Sequence, residues 1–229
     1  MTQRISLCNG KTGLLIIMLI MMMRSTPLLC SADESNTRLW TFDSELPDML
    51  PAEFQVGTLF DGRPAGEWKI VKTDRANSQP QVLGQLMGRG GEHAYKMVLI
   101  NDAIAADVDV SVFFLPISGK GDMGGGLIWR AADDRNYYLT RANPLEQNIR
   151  IYRVTNGIRK LLYNFNQVVD VRQWHALHVI HRGCQVQVFY DKKQVFDMCD
   201  KTFTEGRIGL WTKSDAVTYF DDLRLEILK

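Results

Sequence analysis

Apolar and polar residues alternate one by one along much of this chain, in runs of strand length. Val108, Val110 and Val112 share one parity, with Asp107 and Asp109 on the other. Ile149, Ile151 and Arg153 alternate with Asn148, Arg150 and Tyr152, and Val186, Val188 and Tyr190 with Gln185, Gln187 and Phe189. Near the end, Leu223, Leu225 and Ile227 alternate with Asp222, Arg224 and Glu226. A period of two places successive side chains on opposite faces of a strand, and Gly, Asn and Asp punctuate the runs. No stretch sustains a long amphipathic helical pattern. The pattern therefore predicts an all-β sandwich of two antiparallel sheets. Residues 46–80 are less regular and rich in Pro, Gly and Asp, and are expected to wrap the edge of the sandwich. No repeat, low-complexity linker or second domain interrupts the chain.

One run breaks the alternation. Gly13–Met23 is unbroken and apolar, with Arg4 and Lys11 before it and the small residues Ser31 and Ala32 after it. Eleven residues fall short of the ~20 that span a bilayer. The pattern is that of an export signal covering residues 1–32, followed by one domain over residues 33–229; a retained anchor is the alternative reading. Cys30 invites lipid attachment, but the bulky Leu29 precedes it. The product is then secreted or periplasmic, with no stable membrane insertion after cleavage.

Charge changes the picture little. The full chain has a net charge of +1, and cleavage after Ala32 removes Arg4, Lys11 and Arg24 and no acid. So balanced a domain argues against nucleic acid as a partner, which needs a dense basic surface. Locally there is a bias: seven basic and three acidic residues lie between Arg130 and Lys160. That bias suits an anionic polysaccharide or a merely solvated face.

Only Cys184 and Cys199 remain beyond the signal, in a segment that reads as a hairpin. With Asp191 and Lys192 as its turn, Tyr190 faces Lys193 and Cys184 lies opposite Cys199. Moving the turn one residue makes the cysteines diagonal. In an oxidising compartment the first register yields a cross-strand disulfide; the alternative is two reduced, half-buried thiols.

The candidate chemistry is sparse. His175, His178 and His181 resemble a metal cluster, but on a strand His178 faces away from the other two, which points to structural or exposed roles. Gly124, Gly125 and Gly126 precede a strand rather than the Lys-Ser/Thr of a phosphate loop, so they mark a bulge or a close approach. No Gly-x-Ser-x-Gly elbow occurs. Paired carboxylates would be needed for glycoside hydrolysis, and Glu146 with Asp215 is the candidate pair. Asp221 and Asp222 are adjacent on a strand and are expected to face opposite ways. A polar and aromatic set is more suggestive, because sugars stack on rings while planar Arg and Asn groups bind hydroxyls. From it, Tyr138, Arg141, Asn143, Arg150, Trp211 and Lys213 are the candidate ligand residues.

Several ordered motifs now add a resemblance. They are Gly125-Gly-Leu-Ile-Trp-Arg130, Asn136-Tyr-Tyr138, Arg141-Ala-Asn-Pro-Leu-Glu-Gln-Asn148, Trp174-His-Ala-Leu177 and Gly209-Leu-Trp-Thr-Lys-Ser-Asp215 through Tyr219-Phe-Asp-Asp222. Together with Gly66-Glu-Trp68, they resemble the bacterial DUF1080 group, also called 3-keto-disaccharide hydrolase or family 16 glycoside hydrolase-like domains. The resemblance covers the chain from about Leu39. It implies an exported concanavalin A-like jelly roll associated with carbohydrate. The Glu-x-Asp-x-x-Glu strand motif of true family 16 glycosidases is absent. Similar sandwiches often hold a structural calcium near the first and last strands, for which Asp222 and then Asp221 are the candidates; no other cofactor is implied. The expected function is a secreted carbohydrate-binding domain with glycan on its outer concave face. The alternatives are a glycoside or 3-keto-disaccharide hydrolase with unusual carboxylates, and an adhesive envelope domain.

Overall fold

Val108, Val110 and Val112 are fully buried, while Asp109 and Ser111 between them are only partly covered. That strand, β6 (Val108–Ser118), lies at the centre of one of two antiparallel sheets. The computed structural model describes residues 36–58 and 65–229; the export-signal reading of residues 1–32 lies outside them. Among the described residues there are strands, turns and irregular loops but no α-helix.

The first sheet places β6 between β11 (His175–Arg182) and β15 (Val217–Ile227). Beyond β11 lie β12 (Gln185–Tyr190) and β13 (Lys193–Cys199). The far edge of β15 is shared: Thr218–Phe220 pair with β4 (Gln81–Gln85), and Leu223–Glu226 pair with β1 (Thr37–Trp40). β3 (Trp68–Lys72) pairs outside β4. The second sheet runs β10 (Ile158–Asn166), β9 (Asn148–Thr155), β8 (Asn136–Asn143), β7 (Gly125–Asp133), β14 (Gly206–Lys213), β5 (Tyr95–Ala105), β2 (Phe54–Thr58). The irregular stretch 46–80 thus contributes an edge strand to each sheet, β2 and β3.

The apolar parity of every central strand faces the space between the sheets. Val110, Phe114, Leu127, Trp129, Ile149, Leu177, Leu210, Phe220 and Leu225 meet there in one core. The second sheet also has an apolar outer face, where Tyr95, Met97, Ile128, Tyr137, Leu139, Tyr152 and Trp211 form a second buried cluster. Gly124 (φ 134°) permits close backbone approach at the edge of this region, since a side chain there would strike the carbonyl of Ala142. This is the close approach that the three glycines predict.

Among the register shifts of the described residues, three bulges redirect side chains that matter here. At Arg130 the backbone turns left-handed (φ 47°), so Arg130 enters the interior beside Trp129 instead of pointing away from it. Its guanidinium donates to Ala106 O, Gly183 O and Phe203 O, and pairs with Asp107. Asp222 is also left-handed (φ 47°), at the point where β15 changes partner from β4 to β1. Asp221 and Asp222 therefore do not face opposite ways as alternation predicts. Both reach Ser78, whose Oγ is 3.2 Å from one carboxylate and 3.0 Å from the other.

The third bulge lies in the cysteine hairpin. Asp191 and Lys192 form the turn, both with φ above zero, and Tyr190 faces Lys193 as expected. Val195 is then an extra residue, so Cys199 pairs with Gln185 rather than lying opposite Cys184. The disulfide still forms across 4.8 Å between Cα atoms, because Cys184 stands at the strand entrance one position away. His175 and His181 face inward and His178 outward, matching the parity. Each has polar partners: Asp191 and Asp170 O for His175, Asp109 for His178, and Arg130 for His181.

Candidate functional site

The outer face of the second sheet gathers charge at the open end of β8, β9 and β14. On β8 and β9, Arg141 and Arg150 are cross-strand partners on that face. The connecting turn returns Glu146 to them. Its Oε2 lies 2.7 Å from Arg141 and 2.7 Å from Arg150, and Asn148 adds a longer contact at 3.3 Å. Asn143 builds the turn, since its Oδ1 accepts the N–H of Leu145 and of Glu146. Arg141 also donates to Asn148 Oδ1 at 2.8 Å and reaches the Tyr152 hydroxyl at 3.4 Å.

From β14 comes Lys213, two residues beyond Trp211 on the same face. Its ammonium lies 3.7 Å from Asp122, in the loop joining β6 to β7. Asp215 holds that loop. Its carboxylate accepts the backbone N–H groups of Lys120, Gly121 and Asp122 at 2.8, 2.9 and 3.0 Å. Burial would raise the Asp215 pKa, but these three amides outweigh it and bring it below the usual carboxylate value. Asp215 is thus a loop clasp, and the expected Glu146–Asp215 pair has one member fully engaged elsewhere.

The two acids that do face this cluster differ in proton affinity. Burial raises the pKa of Asp122, and the charges of Arg141 and Lys213 only partly offset it. Burial would also raise Glu146, but hydrogen bonding and charge from Arg141, aided by Asn148 and Arg150, hold it below its ordinary value. Glu146 is partly open to solvent, and Arg150 beside it is about as exposed.

Rings floor the cluster. Trp211 is 2% exposed and stacks on Tyr95 at 5.6 Å, so it supports the face and is not an open platform for a sugar. Arg159, on edge strand β10, lies over Tyr95, Tyr152 and Trp211 at 4.8, 4.5 and 5.9 Å from their centroids.

Of the six predicted ligand residues, the structure brings together Arg141, Arg150, Trp211 and Lys213, with Asn143 shaping the adjoining turn. Tyr138 is a correction. Its parity on β8 turns it into the core, where it stacks on Trp129 at 5.5 Å and donates to Asp200 at 2.6 Å. Asp122 and Arg159 were not anticipated: one comes from a glycine-rich loop and the other from an edge strand, and neither alternates with a partner that signals its role.

Asp221 and Asp222 lie elsewhere, on β15 of the first sheet between its pairings with β4 and β1. Asp221 accepts the N–H of Ser78 and of Asp222, and Asp222 accepts from Asn77. Calcium takes six or more oxygens, and no group of three or more His, Cys, Asp or Glu able to hold a metal occurs among the described residues. As arranged, the pair is satisfied by amide and hydroxyl donors and does not fit that ion.

No family model matches the chain. The levanase of Bacillus subtilis (strain 168) is 23% identical over 142 residues, which are 61% of this chain and 20% of that protein; the chain thus spans about a fifth of the curated relative it matches. Among solved structures, the carbohydrate-binding module CBM66 from Bacillus subtilis superposes with a TM-score of 0.60 at 20% identity, covering 76% of this chain and 95% of that one. The GH43 protein BlXynB from Bacillus licheniformis gives 0.57 at 16% identity, over 86% of this chain and 40% of that one. These likenesses establish the jelly-roll fold.

Proposed function

We propose that the protein is an exported carbohydrate-binding jelly roll that holds glycan on the outer face of its second sheet, in line with the DUF1080 resemblance. The observation that carries this is the convergence of Asp122, Arg141, Glu146, Asn148, Arg150 and Lys213 over a floor of Tyr152 and Trp211. Carboxylates accept from sugar hydroxyls and planar guanidinium and amide groups donate to them, so the set can satisfy several hydroxyls at once. The names of the similar proteins, a levanase and a carbohydrate-binding module, support the same ligand class. The disulfide supports export, since such bonds persist in oxidising compartments.

The test is calorimetric titration of the full chain with a panel that includes levan oligosaccharides and 3-keto disaccharides. Arg150→Ala removes a half-exposed cation without opening the core. It is expected to weaken binding about tenfold, the loss of one charged hydrogen bond, with an unchanged melting temperature. Absence of binding across the panel would sink the proposal.

One observation favours a hydrolase as the second reading. The environments of Asp122 and Glu146 push their proton affinities apart, the condition for one carboxyl to act as acid and the other as base. Bond cleavage by the wild type, abolished in both Asp122→Asn and Glu146→Gln, would establish it. Binding without cleavage would leave the module reading alone.

A further inference from the structure

We infer that the glycan taken by this site is acidic, and that Arg159 reads its carboxylate or sulfate group; this rests on the carbohydrate reading above. The inference begins from charge pairing. Arg141 and Arg150 both contact Glu146, and Lys213 faces Asp122. Among the described residues, four cations, counting Arg159, therefore stand against two carboxylates. Among the described residues no carboxylate lies within ion-pair distance of Arg159, and no hydrogen bond acceptor engages it. What holds it is aromatic: the rings of Tyr95, Tyr152 and Trp211 at 4.5 to 5.9 Å.

That arrangement has a chemical consequence. Rings against the guanidinium fix its plane while leaving the N–H groups at its edge undirected. A guanidinium fixed this way loses little freedom on accepting a planar anion through two parallel N–H bonds. Arg159 is also partly exposed, unlike the buried Arg141, so an incoming group can reach it. A neutral sugar would leave the surplus cation unpaired. A uronate carboxylate or a sulfate ester would complete the pairing.

The experiment compares ligands that differ only in charge. The full chain is titrated with oligogalacturonate and its methyl-esterified form, then with a sulfated galactan oligosaccharide and its desulfated counterpart. At least one acidic form is expected to bind about ten- to a hundredfold more tightly than its neutral twin, as loss of a charge-assisted hydrogen bond implies. Added salt should narrow the gap. Arg159→Gln should abolish the preference, and Arg159→Lys, which keeps the charge but not the fork, should restore part of it. Because the neutral and acidic twins are compared on the wild type, the outcome does not depend on either variant folding. Equal binding of the twins would overturn the inference, as would an Arg159→Gln loss that falls equally on both, which would make the residue only a lid on the rings. Binding of neutral glycans alone would overturn it while leaving the carbohydrate reading intact; silence from every glycan would remove both.

Discussion

His181 should make this fold sensitive to acid in a way that only a paired comparison reveals. The ring is fully buried, and its Nε2 lies 2.7 Å from the guanidinium of Arg130. Both ring nitrogens face donor-only groups, Nε2 the Arg130 guanidinium and Nδ1 the Trp129 indole N–H at 3.0 Å, so the ring has no acceptor for a second proton. Burial, then the charge of Arg130, brings the pKa of His181 down from 6.5 to about 4. Its folded value lies below its unfolded one. The unfolded chain therefore binds a proton between those values that the folded chain does not, and stability present above about pH 6.5 is lost as pH falls toward about 4. The shift corresponds to about 3 kcal/mol.

Asp221 works in the opposite direction. Burial, with Asp222 nearby, raises its pKa from 3.8 to about 7 despite the donors on Ser78 and Asp222. Here the folded chain binds the extra proton, so stability rises as pH falls from about 7 toward 3.8. This change is on the order of 4 kcal/mol. The two slopes nearly cancel across the mildly acidic range, and the wild-type curve alone should look flat. Urea unfolding followed by tryptophan fluorescence, for wild type, His181→Gln and Asp221→Asn, separates them. Relative to wild type, His181→Gln should gain about 2.5 kcal/mol between about pH 7 and about pH 4.5, because the variant has no proton to take up. Asp221→Asn should do the reverse, with its advantage greatest above about pH 7 and fading in acid. Differences from wild type that stay constant with pH in both variants would refute the reasoning.

The remaining predictions concern the hairpin, the floor and the acidic pair on β15. Replacing both Cys184 and Cys199 with Ser frees a loop of sequence separation 15 and should cost about 3 kcal/mol in denaturant unfolding; an unchanged midpoint would show that the bridge restrains nothing. Trp211→Ala opens a cavity under a 2% exposed side chain and should cost about 3 to 5 kcal/mol, so its effect should be read first from the melting temperature. EDTA should leave the melting temperature unchanged, because Asp221 and Asp222 already engage Ser78 and Asn77; a fall reversed by calcium would show that the pair rearranges around the ion.

Where the chain keeps strict alternation, both faces of a strand could be assigned from residue type. β6 and β12 show it, as does the sequence from Leu223 onward, because a period-two pattern has one arrangement that buries its apolar half. Arg141, Arg150, Trp211 and Lys213 were identifiable for the same reason: each lies on a regular stretch of β8, β9 or β14. Tyr138 had the same information available, since it is adjacent to Tyr137, and alternation allows only one of the two on the outer face. Its aromatic type suggested a ligand contact, whereas its parity and the neighbouring Trp129 decided for the core.

Arg130 and Asp222, which depart from strict alternation, share one cause. A strand shows its parity through side-chain type, but a bulge changes parity through a backbone angle that side-chain type does not encode. Arg130 and Asp222 both adopt φ 47°, a conformation more usual for Gly or Asn, and each sits next to a residue that the altered parity serves. At Arg130 the result is a guanidinium between the sheets, bonded to three carbonyls and Asp107, which in turn keeps His181 neutral. At Asp222 it is a carboxylate turned toward Ser78 beside Asp221, where β15 exchanges β4 for β1. Both interruptions thus place ionisable groups where regular strands would have placed none. Two groups that oppose each other in the mildly acidic range, His181 and Asp221, lie directly beside them. Burial sets the acid response of this sandwich and the charges placed by its two bulges adjust it, while its candidate glycan face joins regular strands to the loops that carry Asp122 and Glu146.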